Sequence, residues 1–168
     1  MFKLPGVEMS TGSLGMGISV GVGMALAARY LKTEQRIYVL CGDGEMQEGQ
    51  NWEAFMSAAK WKLSNLTVII DYNRLQLDGT QEQIMPLGDI EAKLKAFGLF
   101  TVKCDGHNIE SLLDAFAETA ASGQPSVIIA DTIKGKGVSF MEGKSIWHGK
   151  PITPEEYAIA TNELGVIA

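Results

Sequence analysis

The residues best suited to chemistry lie in Cys-Gly-Asp-Gly-Glu at positions 41–45 and in Asp-Tyr-Asn at 71–73. Asp43 follows one apolar run, and Asn73 follows the next, 30 residues later. A carboxylate and a carboxamide oxygen make a hard, all-oxygen pair that suits Mg²⁺ or Ca²⁺ rather than Zn²⁺. Magnesium takes six oxygens at roughly 2.1 Å, and proteins often supply only one or two side chains, leaving phosphate and water to fill the rest. Asp43 and Asn73 therefore make half a site that a diphosphate could complete. Gly42 and Gly44 carry no Cβ to block its approach. A helix expected to start near Gly49 would offer free N–H groups and its positive end to the anion. Taken singly, Asp43 could merely cap that helix and Asn73 could be an ordinary turn residue. Glu45 and Glu53 read as charges at a helix N-terminus.

These residues need elements to hold them. Four short apolar runs, RIYVLCG, NLTVIIDYN, LFTVKCDG and PSVIIADT, are predicted strands. Between and around them lie helical patterns: MGISVGVGMALAARYL, GQNWEAFMSAAKWKL, DIEAKLKAFG, NIESLLDAFAETAAS and TPEEYAIATNEL. The second has an apolar stripe at Trp52, Phe55, Met56, Ala59 and Leu63. Gly98 is expected to close the third, Asn108 to cap the fourth, and Thr153 with Pro154 to open the fifth. In the first helix, Gly17, Gly21 and Ala25 form a face for close packing, and with Trp52 and Trp61 a candidate for burial at an interface. Strict alternation of strands and helices, with strands that are continuous apolar runs, predicts an α/β fold: a three-layer αβα domain with a mainly parallel sheet covered on both faces. Ligands of such sheets sit beyond the C-terminal strand ends, where Asp43 and Asn73 both fall.

The 168 residues suffice for a single domain, 1–168, with a real core. A net charge of −6 argues against a nucleic-acid footprint. Lys134, Lys136, Lys144 and Lys150 read as a solvated loop. Cys41 and Cys104 are far apart and form no metal-type pair, so no disulfide is expected and the cytoplasm is the default compartment. The start lacks an apolar signal region, and the run from Ile18 to Leu31 is too short and glycine-broken to span a bilayer. His107, in DGHN, reads as a turn or cap residue.

The GDG sequence followed by Asn73 resembles the thiamine-diphosphate motif. Together with PGVEMSTGSLGMG, GDGEMQEGQNWEA, DYNRLQLDG and KGKGVSFMEGKSIWHGKP, it resembles the N-terminal cofactor-binding section of transketolase over nearly the whole chain. The resemblance implies the thiamine-diphosphate-binding fold and transfer of a two-carbon ketol unit between sugar phosphates, with the cofactor as electron sink. It implies Asp43, Asn73 and the backbone carbonyl of Leu75 as ligands of Mg²⁺ (or Ca²⁺). Gly44 would lie against the diphosphate, with Gly42 and Glu45 counted beside it. Gly12 and Leu14 match backbone positions at the cofactor's ring portion. His148 matches a histidine near the diphosphate and the reacting carbons. Glu48 matches an acid that links two cofactor sites across a dimer interface.

Family members carry a longer segment ahead of the PGVE stretch, with histidines that face the substrate, so the chain reads as a split-type subunit shortened at its start. A C-terminal subunit would have to supply the pyrimidine-binding domain and its glutamate, and turnover is expected only with that partner. A homodimer is expected from Glu48 and its neighbours. The alternatives are a catalytically silent structural or regulatory subunit, a deoxyxylulose-phosphate synthase and an α-ketoacid dehydrogenase subunit. Dinucleotide binding fits poorly, because GVGMAL sits within a predicted helix with no strand before it. GVSFMEGKS misses phosphate-loop spacing by one residue, and no helix follows it.

Overall fold

The computed structural model describes residues 4–165. Four parallel strands form the central sheet: β1 Ile37–Gly42, β2 Leu66–Tyr72, β5 Phe100–Asp105 and β6 Ser126–Asp131, in the spatial order β1-β2-β6-β5. Helix α1 Met16–Tyr30 precedes β1, and α2 Gly49–Trp61 links β1 to β2. A two-stranded hairpin (β3 Leu75–Gln76, β4 Gly79–Thr80), the short helix α3 Gln81–Ile84 and α4 Ile90–Ala96 fill the path from β2 to β5. Helix α5 Ile109–Ala121 joins β5 to β6, and α6 Pro154–Glu163 ends the described chain.

Local chemistry sets the element ends. The Asn108 side chain accepts from Ser111 N at 3.0 Å, capping α5. Thr153 and Glu156 form a reciprocal capping box at α6, with Pro154 in the first turn. Gly98 takes φ +83° just past α4, the left-handed turn that glycine adopts without strain.

One sheet face is the larger core. Val68, Ile70, Val127 and Ile129 pack there with Ile18, Ala25, Phe55, Leu63 and Leu94. The Gly21 face of α1 lies directly on β1: a Cβ at Gly21 would come within 2.4 Å of Val39 Cγ2 and 3.3 Å of Leu66 Cδ1. That face is thus committed to the chain's own sheet rather than to an interface. Trp52 is likewise used internally. Its indole N–H donates to the Met46 carbonyl at 3.0 Å, and its ring meets Phe55 and Phe97. Trp61 stays exposed. The buried stripe of α2 is Asn51, Ala54, Phe55 and Ala58, rotated from the expected one, and Met56 points outward.

The second face departs from expectation. Helix α5 covers Ile128, Ala130 and Cys104 through Ala115, Leu112 and Phe116. Strand β1 has no such cover. It alternates rather than being buried throughout, and Leu40 is 74% exposed. Both cysteines are free and buried, on strands with β2 and β6 between them. Among the described residues no helix is long and apolar enough to cross a membrane.

Candidate functional site

The in-register parallel pairing brings the exits of β1 and β2 to one rim, with Gly42 opposite Asp71. The Asp43 N–H extends that pairing to the Asp71 carbonyl at 3.1 Å. The Asp43 side chain turns inward and is 1% exposed. One carboxylate oxygen accepts from Gly44 N at 2.7 Å and the other from Arg74 N, the residue after Asn73. A single carboxylate thus stitches the two loops together. Among the described residues no Lys, Arg or His forms an ion pair with it. Burial raises the Asp43 carboxyl above its ordinary range, and nearby Asp71 adds to the rise. The two amide hydrogen bonds and the charge of Lys134 oppose it.

Asn73 is half-buried, and its Oδ1 accepts from Leu75 N at 3.0 Å, an Asx turn. Arg74, between them, sits at φ +61°. Leu75 faces Thr80 in the β3–β4 ladder, flanked by the Gln76–Gly79 pair and by the bond from Gln81 N to the Arg74 carbonyl. Alternation in an antiparallel ladder therefore turns the Leu75 carbonyl away from the partner strand.

Gly42 has open space where a Cβ would stand. Gly44 does not: a Cβ there would lie 3.2 Å from Gln76 Cγ. The amide nitrogen of Gln76 is buried beside it, with no hydrogen-bond partner among the described residues. An orphaned N–H donor next to the GDG turn fits an anion.

The helix near Gly49 does not directly follow Asp43. A 3₁₀ turn, Gly44–Gln47, comes first and is capped by Asp43 itself. The start of α2 packs instead against the loop before α1, where a Cβ at Gly15 would be 2.8 Å from Glu48 Cβ. Glu45 Oε1 accepts from Gly15 N at 2.8 Å, tying the loop that carries Gly12 and Leu14 to the GDG turn. Both of those residues are exposed. Glu48 is exposed at the head of α2 and makes no cap bond. Cys41, buried and beside Glu45, has its thiol pushed up to about 12, so it stays protonated.

His148 ends a 3₁₀ turn, Ser145–His148, and is exposed. Its loop adjoins the β3–β4 hairpin, with Leu77 Cδ1 3.6 Å from where a Gly149 Cβ would stand. His107 is structural, as expected: its Nε2 accepts from Ile133 N at 2.8 Å. Sequence reading missed Gln76, the amide of Arg74 and the placement of Lys134 close enough to bias Asp43. The Asp78-Gly79 pair was the signal for the hairpin that presents Gln76.

The molecule is thus a parallel α/β domain with helices on both sheet faces, whose rim brings the buried Asp43 carboxylate together with Asn73 and the Gly42–Gly44 turn. The family description "Transketolase, thiamine diphosphate binding domain" matches residues 1–167. The chain belongs to the transketolase family, as its thiamine-diphosphate-binding domain. It is 45% identical over 162 residues to an apulose-4-phosphate transketolase subunit of Actinobacillus succinogenes, covering 96% of this chain and 59% of that protein. It is 44% identical to a 6-deoxy-6-sulfo-D-fructose transketolase subunit of a Clostridium species, covering 98% of this chain and 60% of that protein. The chain therefore spans about three fifths of these curated relatives. The transketolase of Campylobacter jejuni superposes with a TM-score of 0.89 at 33% identity, over 95% of this chain and 26% of that one. That of Leishmania mexicana gives 0.89 and 33% over 98% and 26%.

Proposed function

We propose that this chain holds thiamine diphosphate through a divalent cation and forms the cofactor-holding half of a transketolase, moving a two-carbon ketol unit between sugar phosphates together with a second chain. Asp43 carries the reading. A carboxylate 1% exposed and, among the described residues, without an ion-pairing side chain costs free energy unless a cation neutralises it. Mg²⁺ or Ca²⁺ suits it, with Asn73 Oδ1 and the Leu75 carbonyl as further oxygens. Asn73 Oδ1 keeps a second lone pair beside the one that Leu75 N–H uses. Gln76 Nε2 and the backbone at Gly44 would meet the diphosphate, with Gly42 leaving room, and Gly12 and Leu14 would meet the ring portion. Glu45 holds their loop in place.

Thiamine diphosphate, when bound, supplies the electron sink for breaking and re-forming a bond next to a ketose carbonyl. His148, exposed on the loop that adjoins the β3–β4 hairpin, would take up or give a proton near it. Glu48, exposed and uncapped, would be the residue that meets a second copy of the chain. The names of the relatives from A. succinogenes and Clostridium, each a transketolase subunit, support a partner chain, here one that brings the pyrimidine-binding domain and its glutamate.

Calorimetric titration with thiamine diphosphate, with and without Mg²⁺, tests the cofactor site. Saturable binding is expected only with Mg²⁺, and Asp43→Ala should abolish that dependence. Binding of NAD or ATP with no thiamine diphosphate signal would reverse the reading. Ketol transfer should need the second chain, and turnover of xylulose 5-phosphate by this chain alone would refute the partner requirement.

A further inference from the structure

We infer that Asp131 is a positioning residue for the cation site: through the Arg74 guanidinium it latches the loop after β2 into the left-handed turn that sets Asn73 and Leu75 beside Asp43. The inference rests on reading that rim as a cation site. Among the described residues, three non-glycine positions have positive φ: Lys32, Lys62 and Arg74. The two lysines follow the ends of α1 and α2, where such a turn is common. Arg74 closes no helix, so its φ of +61° must be imposed by contacts.

Four contacts converge on this residue. Its N–H donates to Asp43, and its carbonyl accepts from Gln81 N at 2.9 Å. Its guanidinium lies over the Tyr72 ring, 4.6 Å from the centroid. Its two terminal nitrogens donate to the two oxygens of Asp131 at 2.8 and 2.9 Å, a half-exposed bidentate pair whose two bonds orient the guanidinium. Asp131 is the last residue of β6, a strand whose other residues are all buried, and stands in register opposite Tyr72. The latch therefore ties the loop to the end of a buried inner strand of the sheet. If Arg74 relaxed, its amide would leave Asp43, and Asn73 and Leu75 would move with it. Asp131 would touch neither cation nor cofactor and would act only through Arg74.

The test is a double-mutant cycle of Asp131→Ala and Arg74→Gly with two readouts. The first is amide hydrogen exchange at residue 74 in the metal-free protein. The second is the affinity for thiamine diphosphate at saturating Mg²⁺, by calorimetry. Asp131→Ala alone should speed exchange and weaken affinity, each by about tenfold, the scale seen when outer partners of metal ligands are lost. In the Arg74→Gly background it should change neither, because no guanidinium is left for Asp131 to hold and glycine reaches a positive φ without strain. Asp131→Asn, which keeps the shape, should fall in between. Wild-type exchange in Asp131→Ala, or an equal loss of affinity in both backgrounds, would overturn the inference. If exchange rises as expected while the wild-type protein binds thiamine diphosphate equally well without Mg²⁺, the latch stands and the cation reading falls.

Discussion

At the scale of residues, Asp43 links stability to pH in a particular direction. Burial raises its pKa in the folded state. The unfolded chain loses this proton near the ordinary Asp value of about 4. Between that pH and the raised folded value, the native state holds the proton and the unfolded state does not, so stability falls as pH rises through the window. Above it, the buried charge is a constant cost that a bound cation offsets. Mg²⁺ binds only the ionised form. The melting-temperature increase produced by Mg²⁺ and thiamine diphosphate should therefore be full at neutral pH. It should fade on acidification before pH reaches about 4, where an exposed aspartate would still be half ionised. Thermal melts across this range, with Asp43→Ala as the flat control, give the comparison. A shift that persisted unchanged down to about pH 4 would place the cation on another, unburied acid. Asp43 and Asn73 were legible in sequence because each follows a strand-like run, and parallel strands in one βαβ unit deliver their exits to one rim. Arg74 was not legible. Its contribution is a backbone N–H and a dihedral angle, which no residue type announces.

At the scale of elements, two glycines of α1 should respond in opposite ways. Alanine favours a helix interior over glycine by up to about 1 kcal/mol. At Gly23, where a Cβ meets nothing within 4 Å, that gain is unopposed, and Gly23→Ala should raise the melting temperature by about 2–4 °C. At Gly21 a Cβ would fall 2.4 Å from Val39 Cγ2, inside any real contact distance. Overpacking of this kind costs about 1–3 kcal/mol and exceeds the propensity gain, so Gly21→Ala should lower the melting temperature. Differential scanning calorimetry of the two variants separates close packing from propensity, and equal shifts of one sign would show that α1 sits off the sheet. The small-residue spacing made this face readable as a site of close approach, but not whether the neighbour would be the chain's own sheet. Helix caps at Asn108 and Thr153 were readable because they depend on residues three apart. The β3–β4 hairpin escaped notice because two-residue strands are too short to show a period.

At the scale of the molecule, the sheet is unevenly covered. Strand β1 is a sheet edge whose second face carries Tyr38 and Leu40, 50% and 74% exposed. Tyr38 meets Phe116 of α5 edge-on, with ring centroids 5.6 Å apart. On α5, Ile109 and Leu113 share a side with Phe116 by helical spacing and are exposed as well. An apolar run in sequence looks the same whether one face or two are buried, so this opening could not be read from RIYVLCG. Exposed apolar side chains at an edge strand favour self-association in water. Light scattering of this chain should therefore show a concentration-dependent rise in mass. Leu40→Lys should suppress it, because a lysine at an edge opposes strand-to-strand and apolar contact alike. The same substitution should leave folding stability within about 0.5 kcal/mol, since the side chain is already mostly in water. A wild-type chain that stays monomeric at high concentration would show that this face does not drive association.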